Sequence, residues 1–85
     1  MHSNQRELEL LGTGGCHLCE QAEEILKTLQ RAGCPFRYRV VDIACDDALF
    51  ERYGLLIPVL RGAAGEARWP FVEEEVLALT GEPAA

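Results

Sequence analysis

Alternating and fully apolar runs of residues mark the strands in the first half of the chain. Residues 7–11 alternate between polar and apolar side chains and then become fully apolar, which is typical of a strand that enters the core. Residues 36–41 alternate throughout, with Phe36, Tyr38 and Val40 on one face and two arginines on the other. Because only one face is apolar, this segment predicts a half-exposed edge strand.

Between these two strands, apolar residues recur every three or four positions over residues 18–29, as on one face of a helix. The residues that share this face are Leu18, Ala22, Ile25, Leu26 and Leu29. Gly33 ends the predicted helix, and Pro35 prevents its continuation. A strand, a helix and a second strand in this order predict a parallel, right-handed βαβ unit.

The second half of the chain begins with a short helix followed by a hairpin. Asp46 or Asp47 can cap the helix, and Gly54 ends it. Its apolar side consists of Leu49, Phe50 and Tyr53. Residues 55–60 then lead into a strand, and a tight Gly-Ala-Ala-Gly turn returns the chain into a further strand over residues 66–69.

A last helix begins near residues 70–71, and completes the order β-α-β-α-β-β-α. Its apolar side consists of Val72, Val76, Leu77 and Leu79. This order predicts an α/β fold with a four-stranded mixed sheet and helices on both faces. The chain has 85 residues, so we expect one small domain over 7–80, a polar, frayed start over 1–6 and a C-terminal tail over 81–85.

Charge and hydropathy exclude two classes of partner. The net charge is −6, and the eight lysines and arginines are scattered, whereas nucleic-acid binding needs clustered cations. No apolar run approaches the roughly 18 residues of a membrane span, and the N-terminal residues lack the apolar core of a signal peptide. We therefore expect a cytoplasmic monomer that binds neither nucleic acid nor membrane.

The chemistry of the chain centres on Cys16 and Cys19, which stand two residues apart at the predicted junction of the first strand and the first helix. A helix N-terminus presents free N–H groups and about half a positive charge, and both favour a thiolate over a thiol. Cys19 lies one helical turn on and can close a disulfide with Cys16. This arrangement predicts thiol–disulfide exchange.

Two other interpretations of the cysteines remain open. In a cytosolic chain, four cysteines indicate either redox chemistry or a metal site, and Cys34 and Cys45 are the residues that could complete a four-cysteine zinc site. Ten residues lie between them, so they do not form a second C-x-x-C pair, and we expect no metal. Alternatively, the Cys16–Cys19 pair acts as a redox sensor that changes the affinity for a partner without catalysis.

The element order, with its C-x-x-C pair at the start of the first helix, resembles the glutaredoxin branch of the thioredoxin fold. More closely, the chain resembles small bacterial glutaredoxin-like proteins that carry the motif Gly-Cys-His-Leu-Cys. The matching segments span nearly the whole chain and lie at residues 15–19, 41–43, 53–54, 57–60 and 69–71.

The resemblance implies a role for each matching residue. Cys16 matches the exposed nucleophile, and Cys19 matches the resolving cysteine. Pro58 matches a proline that follows a cis peptide bond beside the active site, and Ile57 matches the residue whose backbone pairs with a bound peptide or glutathione. His17 also lies on the substrate side; its imidazolium would favour the thiolate, or its side chain is merely solvated.

The sequence differs from glutathione-binding members at two places. Residues 69–72 replace the usual Gly-Gly turn and its polar cluster, and Thr13 and Gly14 stand where a basic residue usually precedes the motif. We expect an oxidoreductase with no bound cofactor that reduces protein disulfides or glutathione-mixed disulfides. Its electrons would come from glutathione or from a partner of the thioredoxin-reductase type.

Overall fold

A computed structural model describes residues 7–80; the start and tail expected at 1–6 and 81–85 lie outside the described residues. The strands are β1 (Glu7–Gly12), β2 (Arg37–Asp42), β3 (Val59–Gly62) and β4 (Gly65–Arg68). The helices are α1 (His17–Arg31), α2 (Asp47–Tyr53) and α3 (Glu73–Leu79). A short 3₁₀ helix, Ile43–Cys45, joins β2 to α2. The order β-α-β-α-β-β-α is the predicted one.

The four strands form one mixed sheet in the order β2-β1-β3-β4. Strand β1 pairs in parallel with β2 and antiparallel with β3, and β3 forms an antiparallel hairpin with β4. The prediction that β2 is an edge strand is therefore confirmed. Because β1 lies between two neighbours, its C-terminal end is flanked by the end of β2 and by the beginning of β3.

One face of the sheet packs against α1 and α3. The buried residues of this main core come from the strands, from α1 and α3, and from the loops beside them: Leu8, Leu10, Ala22, Leu26, Leu29, Phe36, Leu60, Ala67, Phe71, Val76 and Leu79. Ala22, Leu26 and Leu29 on the predicted apolar side of α1 therefore pack in the core. Leu18, predicted on the same side, is 44% exposed. The other face carries a smaller cluster beneath α2, formed by Leu11, Ile43, Tyr53 and Val59. Helices thus cover both faces of the sheet. Among residues 7–80, none of the helices has the length and apolar character of a membrane span.

Beyond α2, the second face of the sheet carries a charged ladder across three strands. Glu9 of β1 stands directly opposite Arg39 of β2 and Arg61 of β3. Arg61 donates from Nε and Nη2 to Glu9 Oε1 at 2.9 and 2.7 Å, and Arg39 donates to Glu9 Oε2. The hydrogen bonds from Arg39 and Arg61 hold the pKa of the Glu9 carboxyl below its usual range. One carboxylate therefore joins the central strand to both neighbours.

Two further predicted details differ in the structure. Helix α3 begins at Glu73 rather than near residues 70–71, because Val72 is extended and its N–H donates to the Glu75 side chain. Val72 is consequently exposed instead of packed. Phe50 is also exposed, because α2 has only two turns and presents Tyr53 to the core.

Replacing Glu9 by Gln should lower the free energy of unfolding by about 1 kcal/mol at pH 7, because both arginines lose a charged acceptor. A carboxyl whose folded pKa is lowered stabilises the fold above its unfolded pKa of about 4.3 and loses this effect as the pH falls through the folded value. The difference between wild type and Glu9→Gln should therefore shrink between pH 7 and pH 3 in urea unfolding.

The matched control is Glu7→Gln on the same strand and face, since Glu7 is exposed and has no ion-pair partner among residues 7–80. This control should change the stability by less than about 0.5 kcal/mol. A Glu9→Gln difference that is equally large at pH 3 would contradict the role of the carboxylate charge.

Candidate functional site

The turn between β1 and α1 places Cys16 at the N-cap of the helix. Its backbone is extended, and the preceding Gly15 has a φ of 79°, a left-handed conformation that favours glycine. The Cys16 Sγ accepts a hydrogen bond from the Cys19 N–H at 3.1 Å, and the Cys16 carbonyl accepts from the Glu20 N–H at 3.2 Å. The sulfur therefore occupies the capping position that a serine or aspartate oxygen usually fills.

Cys16 and Cys19 are joined by a disulfide, with their Cα atoms 5.2 Å apart. The two residues differ in exposure, because Cys16 lies in the turn whereas Cys19 lies on the buried side of α1 and is only 9% exposed. A partner in solution can therefore reach the Cys16 sulfur more readily than the Cys19 sulfur. The sequence predicted this pair and its position at the helix start.

Gly12, the last residue of β1, packs directly against the second cysteine. A Cβ atom at this position would lie 2.7 Å from Cys19 Sγ and 3.3 Å from Cys19 Cβ. Only glycine leaves enough room for the cysteine side chain at this end of the strand. The sequence analysis did not single out Gly12. Its position between the first strand and the first helix was the only signal, and the contact depends on how α1 lies on the sheet.

Two polar side chains follow Cys16 on the outside of the first helical turn. His17 Nδ1 lies 3.7 Å from Glu20 Oε1, and both side chains are largely exposed. His17 is therefore on the solvent side of the disulfide. No hydrogen bond within residues 7–80 joins its imidazole to Cys16.

The peptide bond between Ile57 and Pro58 is cis, which is the isomer that the family resemblance implied. The β1–β3 register pairs Leu11 with Val59, so its extension by one residue brings Pro58 to Gly12, at the same end of the sheet as the cysteines. The Pro58 carbonyl accepts a hydrogen bond from the Trp69 N–H at 3.2 Å. The backbone groups of Ile57 have no hydrogen-bond partner among residues 7–80.

Comparison with known proteins agrees with this arrangement. Residues 7–80 match the sequence model of the glutaredoxin-like domain (DUF836). The chain belongs to the glutaredoxin-like family. A search of curated proteins finds no significant match.

Solved structures support the same assignment. The X-ray structure of the structural genomics target protein XcR50 from X. campestris is 41% identical, with a TM-score of 0.67 over 91% of this chain and 99% of that chain. The solution structure of the same protein is 42% identical, with a TM-score of 0.67 over 92% and 97%. A malarial protein, 13% identical with a TM-score of 0.66 over 93% and 97%, shares the fold. The thioredoxin-like fold expected from the element order is therefore confirmed.

Two further polar side chains of this glutaredoxin-like domain have structural partners. Asp42 accepts a hydrogen bond from the Ala44 N–H at 2.9 Å and caps the 3₁₀ helix. Arg61 pairs with Glu9 on the open face of the sheet. Both residues therefore stabilise the fold.

The other two cysteines are separate from the pair. Cys34 is half-buried and packs against the main core, whereas Cys45 is exposed at the end of the 3₁₀ helix. Within the described part of the chain, no three His, Cys, Asp or Glu side chains are placed to hold a metal ion. The two cysteines thus do not join Cys16 and Cys19 in a four-cysteine site.

Replacing Gly12 by Ala should destabilise this glutaredoxin-like domain by about 1–3 kcal/mol, because the new methyl group overlaps Cys19 Sγ and a packed neighbour must move. Urea unfolding of the oxidised protein measures the effect. Gly14→Ala is the matched control in the same turn, since a Cβ there meets nothing within 4 Å. An equal loss of stability in both variants would contradict the importance of the Gly12 contact.

Proposed function

We propose that the protein is a thiol–disulfide oxidoreductase in which Cys16 is the nucleophile and Cys19 is the resolving cysteine. The observation that carries the proposal is the N-cap position of the Cys16 sulfur, next to a disulfide partner that is nearly buried. A thiolate at this position is stabilised by the Cys19 N–H and by the positive end of α1. The more accessible sulfur, that of Cys16, is therefore the one suited to attack a substrate.

In the proposed reaction, the Cys16 thiolate attacks one sulfur of a substrate disulfide and displaces the other as a thiolate, which takes a proton from water. Cys19 then loses its proton and attacks Cys16 Sγ in the mixed disulfide. The Cys16–Cys19 disulfide forms, and the second substrate sulfur leaves as a thiol. Two electrons pass from the cysteine pair to the substrate. Glutathione or a reductase partner would return the pair to the dithiol.

The neighbourhood of the cysteines supports a protein as the preferred substrate. Trp69 and Phe71 belong to the segment that replaces the usual glutathione-binding turn, and both contribute to packing instead. Phe71 is 2% exposed, and the Trp69 and Phe71 rings meet edge to face with centroids 5.3 Å apart. The unpaired backbone of Ile57 offers hydrogen bonds to an extended segment, as in strand addition. Glutathione then serves as a reductant and not as a tightly held ligand.

Reduced protein should show a Cys16 thiol pKa below the free value of about 8.5, since the helix terminus favours the thiolate. The test is alkylation by iodoacetamide against pH, followed at each cysteine by mass spectrometry. Exposed Cys45 is the internal reference. We expect Cys16 to react faster than Cys45 at pH 7, and we expect the reduced protein to reduce the disulfides of a test protein.

Two variants complete this test. Cys16→Ser should abolish turnover, and Cys19→Ser should stop the reaction at a mixed disulfide between Cys16 and the substrate. A Cys16 that reacts no faster than Cys45, together with absent turnover, would contradict the proposed activity. A disulfide that forms and breaks without turnover, while a partner binds only one redox state, would instead indicate a redox sensor.

Leu55 should contribute to the binding of a protein substrate. It lies two residues before Ile57, it is 100% exposed, and the next residue is also a partly exposed leucine. Leu55→Ser should raise KM for a protein disulfide about fivefold, equivalent to ~1 kcal/mol, and should leave kcat unchanged. Kinetics with a small disulfide such as hydroxyethyl disulfide should show no change.

Ala63→Ser is the control for this effect, because Ala63 is exposed in the β3–β4 turn at the far end of β3. This control should leave KM unchanged for both the protein disulfide and the small disulfide. An equal change in KM for the protein and the small disulfide in Leu55→Ser would contradict the proposed contact between Leu55 and protein substrates.

A further inference from the structure

A cavity of about 170 Å³ lies beside the disulfide, between the first turns of α1 and strands β1 and β2. Both cysteines, Glu20, Glu23 and the exposed Val40 are among its lining residues. Polar groups and a volume of this size are suited to several water molecules. The cavity thus links the two sulfur atoms to two carboxylates of the same helix.

The second step of the proposed reaction creates a need for a proton acceptor. Cys19 is nearly buried, and a buried thiol holds its proton more tightly than an exposed one. The helix terminus stabilises a negative charge mainly at the N-cap sulfur, which is that of Cys16. Cys19 must nevertheless become a thiolate before it attacks the mixed disulfide.

Of the two carboxylates in the cavity, Glu23 is the better placed for this task. It follows Cys19 by four residues, so the two side chains lie on the same face of α1. The Glu23 side chain is 33% exposed, whereas the Glu20 side chain is 72% exposed and adjoins His17 at the surface. Glu23 is therefore the less solvated of the two bases.

Tyr38 of β2 fixes the Glu23 carboxylate in place. Its hydroxyl donates a hydrogen bond to Glu23 Oε2 at 2.7 Å, and Lys27 Nζ lies 3.9 Å from the same oxygen. Burial, together with the hydrogen bond to Glu23, raises the pKa of Tyr38 well above its usual value, so the hydroxyl keeps its proton and remains a donor. Both Tyr38 and Lys27 contact Oε2, and Oε1 has no hydrogen-bond partner within residues 7–80.

We infer that Glu23 accepts the Cys19 proton through water in this cavity during resolution of the mixed disulfide, with Tyr38 as its positioning residue. The proton leaves Cys19 Sγ for the water, which passes one to the Glu23 carboxylate. The Cys19 thiolate then attacks Cys16 Sγ, and the departing substrate sulfur or solvent takes the proton back from Glu23. This inference rests on the proposed function and adds no co-reactant to it.

The charged and titratable groups around Glu23 are few. Tyr38 faces it from β2, Lys27 and Glu20 flank it on α1, and the two cysteines share its cavity. Glu24 is the neighbouring carboxylate on α1, and its charge also acts on Tyr38.

Stopped-flow reaction with one equivalent of Ellman's reagent separates the two steps. Attack by Cys16 releases a first coloured thiolate, and attack by Cys19 releases a second, so the second phase reports resolution alone. A Cys45→Ser background removes the exposed additional thiol. The departing thiolate needs no proton, so the second phase depends on removal of the Cys19 proton.

Glu23→Gln keeps an acceptor for Tyr38 but removes the base. We expect the second phase to slow about 10²-fold at pH 7, the lower range for general-base catalysis, with the first phase unchanged. The wild-type rate of this phase should be nearly flat over pH 6–8. The variant's rate should instead rise about tenfold per pH unit, because only hydroxide then removes the proton. Tyr38→Phe should slow the second phase less than Glu23→Gln does. Glu23→Asp should keep a second-phase rate that is nearly independent of pH over pH 6–8.

Glu24→Gln is the matched control, since Glu24 is the exposed neighbour on α1 and does not line the cavity. A Glu23→Gln variant with a wild-type second phase, or a loss that appears in Glu20→Gln instead, would overturn the inference alone. A wild-type protein without any second phase would overturn the proposed function as well. If Glu23→Gln fails to fold, the Tyr38→Phe profile decides, because an unchanged second phase there is incompatible with positioning by Tyr38.

Discussion

The burial of β1 on both faces, with hydrogen bonds along both edges, is the constraint on which the rest of the structure depends. Leu8 and Leu10 face α1 and α3, whereas Leu11 faces the cluster beneath α2. Because Leu10 and Leu11 are buried on opposite faces and pair with both neighbouring strands, the position of the end of β1 is fixed. Gly12 then sets the distance between the sheet and Cys19, and the turn that follows places Cys16 at the start of α1. The cysteine pair is therefore held by the core and not by its own loop.

The sequence alone predicted the features that depend on local pattern. Helical spacing identified α1, alternation identified β2, and the Gly-Ala-Ala-Gly turn identified the hairpin. It did not predict the Glu9 ladder, because Arg39 and Arg61 are far from Glu9 in sequence and become its neighbours only through the register of three strands. The late start of α3 depends likewise on one hydrogen bond from the Val72 N–H.

The same distinction applies to the candidate site. The spacing of Cys16 and Cys19 and their place before a helical pattern were sufficient to predict a redox pair. The tight contact of Gly12 and the Tyr38–Glu23 hydrogen bond were not predictable, since each joins an ordinary residue to a partner on another element. The local sequence is thus sufficient to predict the cysteine pair, whereas the residues that surround the pair depend on tertiary packing.

Because Cys16 caps α1, the stability of the fold depends on whether the cysteine pair is oxidised or reduced. The sulfur that ends α1 is neutral in the disulfide and carries negative charge as a thiolate, so the two redox states offer the helix two different caps. A thermodynamic cycle joins folding and reduction of the pair. Any difference in unfolding free energy between the oxidised and reduced forms equals the shift that the fold imposes on the reduction potential of the cysteines. For a two-electron couple, each 1.4 kcal/mol corresponds to about 30 mV. The difference in capping strength between the disulfide and the thiolate therefore contributes directly to the reduction potential of the pair.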